Sequence, residues 1–284
     1  SGQLTVSECT VRVTNWNNNG AAGPLGQSAS PVILGAAATQ GTLEYAGPFS
    51  NAPATIKGLD IANGGGKVQL SFVPVNVGGQ YVHLNGTSLT GAGPLTVDTS
   101  NLGVMTSRFI LVGASPFTGT VTVNANTQLQ SNAQASGDTA LFGVGSTGTG
   151  PAITMNAGSI LDIYAFGGAF NPSVLIGSLS GTGTVQGEAA GNYTFKIGGD
   201  NTSTTFNGRF VAGTSSKVAL TVRNLSEQPA TDVVVTPVVP EGWLVSPASI
   251  TVGDLAAQAT KDFTFTINTG STISGRPAMG SWLT

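Results

Sequence analysis

Between Gly177 and Phe210 apolar and polar residues alternate with period two, in short runs broken by Gly, Thr, Asn and Ser. Leu179, Gly181, Gly183 and Val185 alternate with Ser178, Ser180, Thr182 and Thr184. The run Tyr193-Thr-Phe-Lys-Ile197 alternates again, Gly198-Gly-Asp-Asn201 turns, and Thr205-Phe-Asn-Gly-Arg-Phe210 follows. Alternation of this kind predicts half-buried strands, and the Gly/Asn clusters predict tight turns between them. No segment of helical period intervenes. A module this short buries its apolar face by stacking on copies of itself.

The same pattern runs upstream. Strands are predicted at residues 3–6, 10–16, 31–35, 41–45, 54–61, 67–75 and 80–84. Others are predicted at 94–98, 108–112, 119–124, 140–144, 151–155 and 159–164. One phrase recurs: Gly-Gln-Leu-Thr-Val at 2–6, Gly-Thr-Leu-Glu-Tyr at 41–45, Gly-Pro-Leu-Thr-Val at 93–97, Gly-Thr-Val-Thr-Val at 119–123 and Gly-Ser-Ile-Leu-Asp-Ile at 158–163. Repetition of one strand type favours a solenoid over a sandwich or barrel. The expectation for residues 1–213 is a right-handed parallel β-helix, each coil adding ~4.8 Å. Val, Ile, Leu and Phe would point inward, and Thr, Ser, Asn and Gln outward.

Composition narrows the function classes. Only 8% of the 284 residues are charged, 40% are hydrophobic and 41 are Gly. So few charges would suit disorder, but the apolar content argues for a packed, turn-rich all-β chain. A formal net charge of −3 leaves no basic footprint for nucleic acid or an anionic membrane. Nothing resembles a signal peptide or a membrane-inserting helix. Cys9 is the single cysteine, which excludes an internal disulfide; a buried small hydrophobe is the favoured role, an intermolecular thiol the other.

The repeat carries a resemblance. Gly-Gln-Leu-Thr-Val, Gly41-Thr-Leu-Glu-Tyr45, Gly177-Ser-Leu-Ser-Gly-Thr-Gly-Thr-Val185 and Gly198-Gly-Asp-Asn-Thr202 with Phe206-Asn-Gly208 resemble the autotransporter-associated β-strand repeats of bacterial surface proteins. Ser7-Glu-Cys-Thr10 departs from that family's usual Ala-Gly corner. After Gly213 the character changes. Leu220-Thr-Val-Arg-Asn224, Asp232-Val-Val-Val235, Pro240-Glu-Gly-Trp243 and Phe263-Thr-Phe265 resemble the Ig-like module attached to α-galactosidases and other carbohydrate-active enzymes. That resemblance implies a small β-sandwich over 214–284, with Trp243 between its sheets.

Catalysis needs convergent titratable groups, and the 13 acids are scattered. Asp60, Asp98, Asp138, Asp162 and Asp200 are the carboxylates that stacked coils could align for glycoside cleavage. For Asp200 the Gly-Gly-Asp-Asn turn is explanation enough, and its spacing is not that of a calcium-binding nonapeptide. His83, in an alternating strand, has no second His or Cys nearby for a metal and no nucleophile elbow. Trp16, Tyr45, Tyr81, Tyr164, Tyr193 and Trp282 could meet sugar, although packing accounts for most such aromatics. Asn85, Asn192, Asn201 and Asn224 lie in Asn-x-Ser/Thr sequons, which chance explains in so Thr- and Ser-rich a chain.

No catalytic, metal or cofactor residues are assigned. The function expected is a non-catalytic, adhesin-like or structural protein outside the cell or on a bacterial surface. It would present a β-rich rod that assembles end to end into filaments and touches surface glycans. The alternative is a carbohydrate-binding or accessory part of a larger polysaccharide-active enzyme.

Overall fold

The computed structural model describes residues 2–47, 57–71, 81–85, 88–99, 108–113, 115–133, 137–138, 150–165, 172–187, 194–200, 202–211, 215–237, 239 and 244–268. These residues form an all-β chain. In its first part the strands are β1 (Thr5–Val6), β2 (Thr10–Val13), β3 (Val32–Leu34), β4 (Gly41–Tyr45), β5 (Leu59–Ile61), β6 (Gly66–Leu70), β7 (Tyr81–Asn85), β8 (Leu89–Gly91), β9 (Leu95–Asp98) and β10 (Arg108–Val112). There follow β11 (Val121–Val123), β12 (Gln128–Ala133), β13 (Gly137–Asp138), β14 (Ala152–Met155), β15 (Ile160–Ala165), β16 (Pro172–Ile176), β17 (Ser178–Gly181), β18 (Thr184–Gly187), β19 (Thr194–Ile197) and β20 (Arg209–Val211).

Every strand pair in this part is parallel, and the strands sort into four sheets. One is ordered β1-β3-β5-β8. A seven-stranded sheet runs β2-β4-β6-β9-β11-β14-β17. A six-stranded sheet runs β7-β10-β12-β15-β18-β20, and a short one β13-β16-β19. Neighbours within a sheet come from successive repeats: Thr154 and Ser180, paired on β14 and β17, are 26 residues apart.

Register stacks like on like. Leu43, Val68, Val97, Val123 and Met155 form one inward column on the seven-stranded sheet, all completely buried. Val32, Leu59 and Leu89 form another. Val82, Phe109, Leu129, Leu161 and Val185 form a third, on the six-stranded sheet. The three columns meet in a single hydrophobic cluster. Outward on the seven-stranded sheet stand Thr42, Lys67, Thr96, Thr122, Thr154 and Ser180 in register. Thr154 and Ser180 hydroxyls lie 3.1 Å apart, and Asn156 Nδ2 donates to Asn124 Oδ1 at 3.1 Å.

Two expectations are corrected here. The alternating run 178–185 is not one strand: it turns a corner after Gly181 and delivers β17 and β18 to different sheets. Gly181 has φ 97°, and a Cβ there would lie 2.0 Å from the Met155 carbonyl oxygen, so only Gly fits the corner. Cys9 is exposed rather than buried, because it sits in the corner between β1 and β2. The strand predicted at 140–144 lies outside the described residues.

The second part is antiparallel. β21 (Ser215–Arg223), β25 (Thr260–Asn268) and β23 (Leu244–Ser246) form one sheet, and β22 (Ala230–Val235) and β24 (Ile250–Leu255) the other. Val235, Val252, Phe263 and Phe265 make a separate core. Trp243 lies outside the described residues. β21 runs beside β19, which joins the two parts.

Candidate functional site

The outer face of the six-stranded sheet differs from the other faces. Because Phe109, Leu129 and Leu161 point inward, their strand neighbours point outward. His83, Ile110, Gln130, Asp162 and Gln186 stack in one outward column. Arg108, Gln128, Ile160, Thr184 and Arg209 form the next, and Asn85, Val112, Asn132 and Tyr164 a third. Gln128 and Gln130 are each only 3% exposed and Asp162 is fully buried, although they face away from the apolar interior.

Buried polar groups need partners, and here the register supplies them. Gln128 Nε2 donates to Asp162 Oδ2 at 3.2 Å. Arg108 Nη1 donates to Gln130 Oε1 at 3.2 Å, and Arg209 Nε to Thr184 Oγ1 at 3.0 Å. Among the described residues Asn132 Oδ1 is buried and accepts no hydrogen bond. The face therefore combines amides, one carboxylate, two guanidinium groups and the half-buried Tyr164. Gln128, Gln130 and Asp162 are buried and bonded within the face, so they hold its strands in register rather than meet a ligand. The face is poorly suited to proton-transfer chemistry: His83 and Asp162 share a column but lie three strand spacings apart, about 14 Å.

The other sequence candidates are dispersed. Asp60, on the first sheet, accepts from Thr90 Oγ1 at 3.0 Å. Asp98, on the seven-stranded sheet, pairs with Lys67 at 2.5 Å. Asp200 caps its own turn by accepting from the Thr202 N–H at 2.9 Å. The side chain of Asp138 lies outside the described residues. Among the described residues no three His, Cys, Asp or Glu side chains come together as metal ligands.

Trp16 and Tyr45 are core residues rather than sugar platforms. They are each 3% exposed, with rings edge to face at 5.9 Å. Trp16 Nε1 donates to the Lys57 carbonyl at 2.9 Å, and burial pushes the Tyr45 hydroxyl pKa up. The side chains of Tyr81 and Tyr193, and Trp282, lie outside the described residues. Of the sequons, Asn224 is 8% exposed and its Nδ2 donates to the carbonyls of Gln228, Leu255 and Ala256, so it has no amide left for a glycan. Asn85 is half-buried on β7, and Asn192 and Asn201 fall outside the described residues.

Sequence reasoning missed two features. One is β12, whose Gln-Leu-Gln-Ser-Asn-Ala carries one large aliphatic residue and supplies Gln128, Gln130 and Asn132 to the polar face. The other is Lys57, completely buried near the first repeats. Its Nζ donates to the Ser28 carbonyl at 2.5 Å and the Gly26 carbonyl at 3.1 Å, and desolvation lowers its pKa. A lone Lys in an Ile-Lys-Gly run gives no warning of this.

Residues 210–276 match the family model described as NPCBM-associated, NEW3 domain of alpha-galactosidase. The match covers β21 to β25, where the sequence resembles the Ig-like module of carbohydrate-active enzymes. It lends no support to the autotransporter-repeat resemblance of residues 1–213. No curated protein and no solved structure matches the chain.

Proposed function

We propose that this chain is a non-catalytic accessory piece of a carbohydrate-active protein that works outside the cell. In this reading residues 1–213 are a parallel β-helical stalk and 214–284 an Ig-like module at its end. The observation that carries the reading is the match of 210–276 to a domain associated with alpha-galactosidase. The stalk reading is supported by the four all-parallel sheets and by the columns that stack repeat on repeat.

A second reading is an adhesin-like rod on a bacterial surface. It is favoured by the in-register neutral ladder Thr96, Thr122, Thr154 and Ser180, a regular face with little charge. Affinity electrophoresis of the full chain through a panel of soluble neutral and acidic polysaccharides, α-galactoside-bearing galactomannan among them, separates the two. Retardation by at least one polysaccharide is the result expected of the accessory piece. Migration unchanged in every gel overturns it.

A further inference from the structure

The outer face of the seven-stranded sheet carries two columns of neutral polar side chains. Thr122, Thr154 and Ser180 stand in register on β11, β14 and β17. The bridge between Gly181 and Phe206 continues that column to Thr205. A second column stands two residues further along each strand. Its members Asn124, Asn156 and Thr182 donate their backbone N–H groups to the carbonyls of Val97, Val123 and Met155, and Asn207 donates to Gly181. The register therefore runs without a shift from Thr122 to Asn207. Thr154, Asn156, Thr182, Thr205 and Asn207 are exposed, and Thr122, Asn124 and Ser180 are half-buried, so solvent reaches both columns.

The spacing is fixed in two directions. Ranks lie ~4.8 Å apart across the sheet, and the two columns lie ~6.6 Å apart along the strand. Side chains of one rank are tied to the next: the Thr154 and Ser180 hydroxyls are 3.1 Å apart, and Asn156 Nδ2 donates to Asn124 Oδ1 at 3.1 Å. Side-chain ladders of this kind hold a stacked sheet flat, and Thr, branched at Cβ, keeps few χ1 rotamers. The charges of this face belong to its first ranks, where Arg12 pairs with Glu44 and Lys67 with Asp98. From Thr122 onward the two columns consist of hydroxyls and amides.

We propose that this face binds ice. The columns select a ligand that is uncharged and that repeats in two dimensions. An ionic polymer is held by opposite charge, and a pyranose ring by an aromatic face to stack on; the columns offer neither. Water oxygens in hexagonal ice recur at nearly the two intervals of the columns, on the crystal faces that contain its long axis. Hydroxyls and amides both donate and accept, so each can stand in the place of a lattice water. The Thr methyl groups fill the spaces between them. A charged side chain would instead orient water around itself, against the lattice. Because register and ladder bonds already fix these side chains, ordering them on ice costs little conformational entropy. This activity is separate from the carbohydrate reading and stands whether or not the chain binds a polysaccharide.

A ball of ice grown slowly from a solution of the full chain, labelled at the exposed Cys9 with a fluorescent maleimide, measures adsorption. Cys9 adjoins β2, about 19 Å from β11 across the sheet, so the label leaves the columns clear. Recrystallisation of fine-grained ice, followed under the microscope, measures the same binding without a label. The natural chain should enter the ice and slow recrystallisation at micromolar concentration. Thr154→Tyr, inside the first column, raises a ring above the plane of the face, and Asn156→Asp keeps the shape and adds a charge. Each should lower both readouts several-fold with the melting temperature of the protein unchanged. Thr42→Tyr, on the same sheet face but beside Glu44 and Lys67, should leave both readouts as they are. A natural chain excluded from ice as fully as labelled albumin overturns the proposal. So do Thr154→Tyr and Asn156→Asp variants that adsorb as the natural chain does, or an equal loss with Thr42→Tyr.

Discussion

Lys57 and Asn224 do similar work in the two parts of the chain: each spends a buried side chain on backbone carbonyls. The Lys57 amine holds the carbonyls of Gly26 and Ser28. Lys57→Met keeps much of the volume but strands both acceptors, at a cost of about 1–3 kcal/mol. The cost should depend on pH. Burial lowers the folded-state pKa below the ordinary 10.5, so between the lowered value and 10.5 the unfolded chain binds more protons. Stability of the natural protein therefore rises with pH through that window, and its margin over Lys57→Met widens. Urea unfolding of both proteins from neutral to alkaline pH measures this, and a narrowing margin would contradict it. Asn224 discriminates differently. Asn224→Ala takes the amide donor away from the carbonyls of Gln228 and Leu255, and from that of Ala256, which also accepts from the Ala259 N–H, and costs about 1–3 kcal/mol. Asn224→Asp costs more at neutral pH, because a carboxylate aimed at carbonyls repels them. Thermal melts in which the Asp variant equals the natural protein would show that the amide donates to none of them.

Elements were legible where a strand carries one apolar face or a continuous apolar run. Gly41–Tyr45 and Arg108–Val112 are predicted with the bounds that the structure has. β12 was not legible, because its outward Gln128 and Gln130 are themselves buried and its inward Ser131 is polar. Alternation of polarity fails as a signal when both faces of a strand are covered. Corners were hard for a related reason: in Ser178–Val185 the alternation continues through Gly181 while the backbone changes sheet. The candidate site suffered the same loss, since it is assembled from β7 to β20 by register and no local motif announces it. The corner can be tested. Gly181→Ala puts a methyl group against the Met155 carbonyl at a positive φ, and should cost more than ~1 kcal/mol. Thr122→Ala, on the outward column of the same sheet, should stay within about 0.5 kcal/mol. Equal chemical-denaturation midpoints for the two variants would mean that the corner is not built as described.

At the scale of the molecule there are two apolar cores of unequal size. One runs the length of the parallel sheets; the other is Val235, Val252, Phe263 and Phe265 between two small antiparallel sheets. A small core loses a large fraction of its stability with one ring, whereas a long stack spreads a loss over many repeats. Phe265 is 1% exposed, so Phe265→Ala should cost the second part about 3–5 kcal/mol. The expected outcome is a calorimetric trace that splits, with a low-temperature transition for residues 215–268 and an unshifted one for the parallel sheets. Limited proteolysis between the two temperatures should then release the second part and spare the first. The neighbouring strands β19 and β21 are a place where the loss could spread. A single transition moved down as a whole would show that this junction binds the two parts into one cooperative unit.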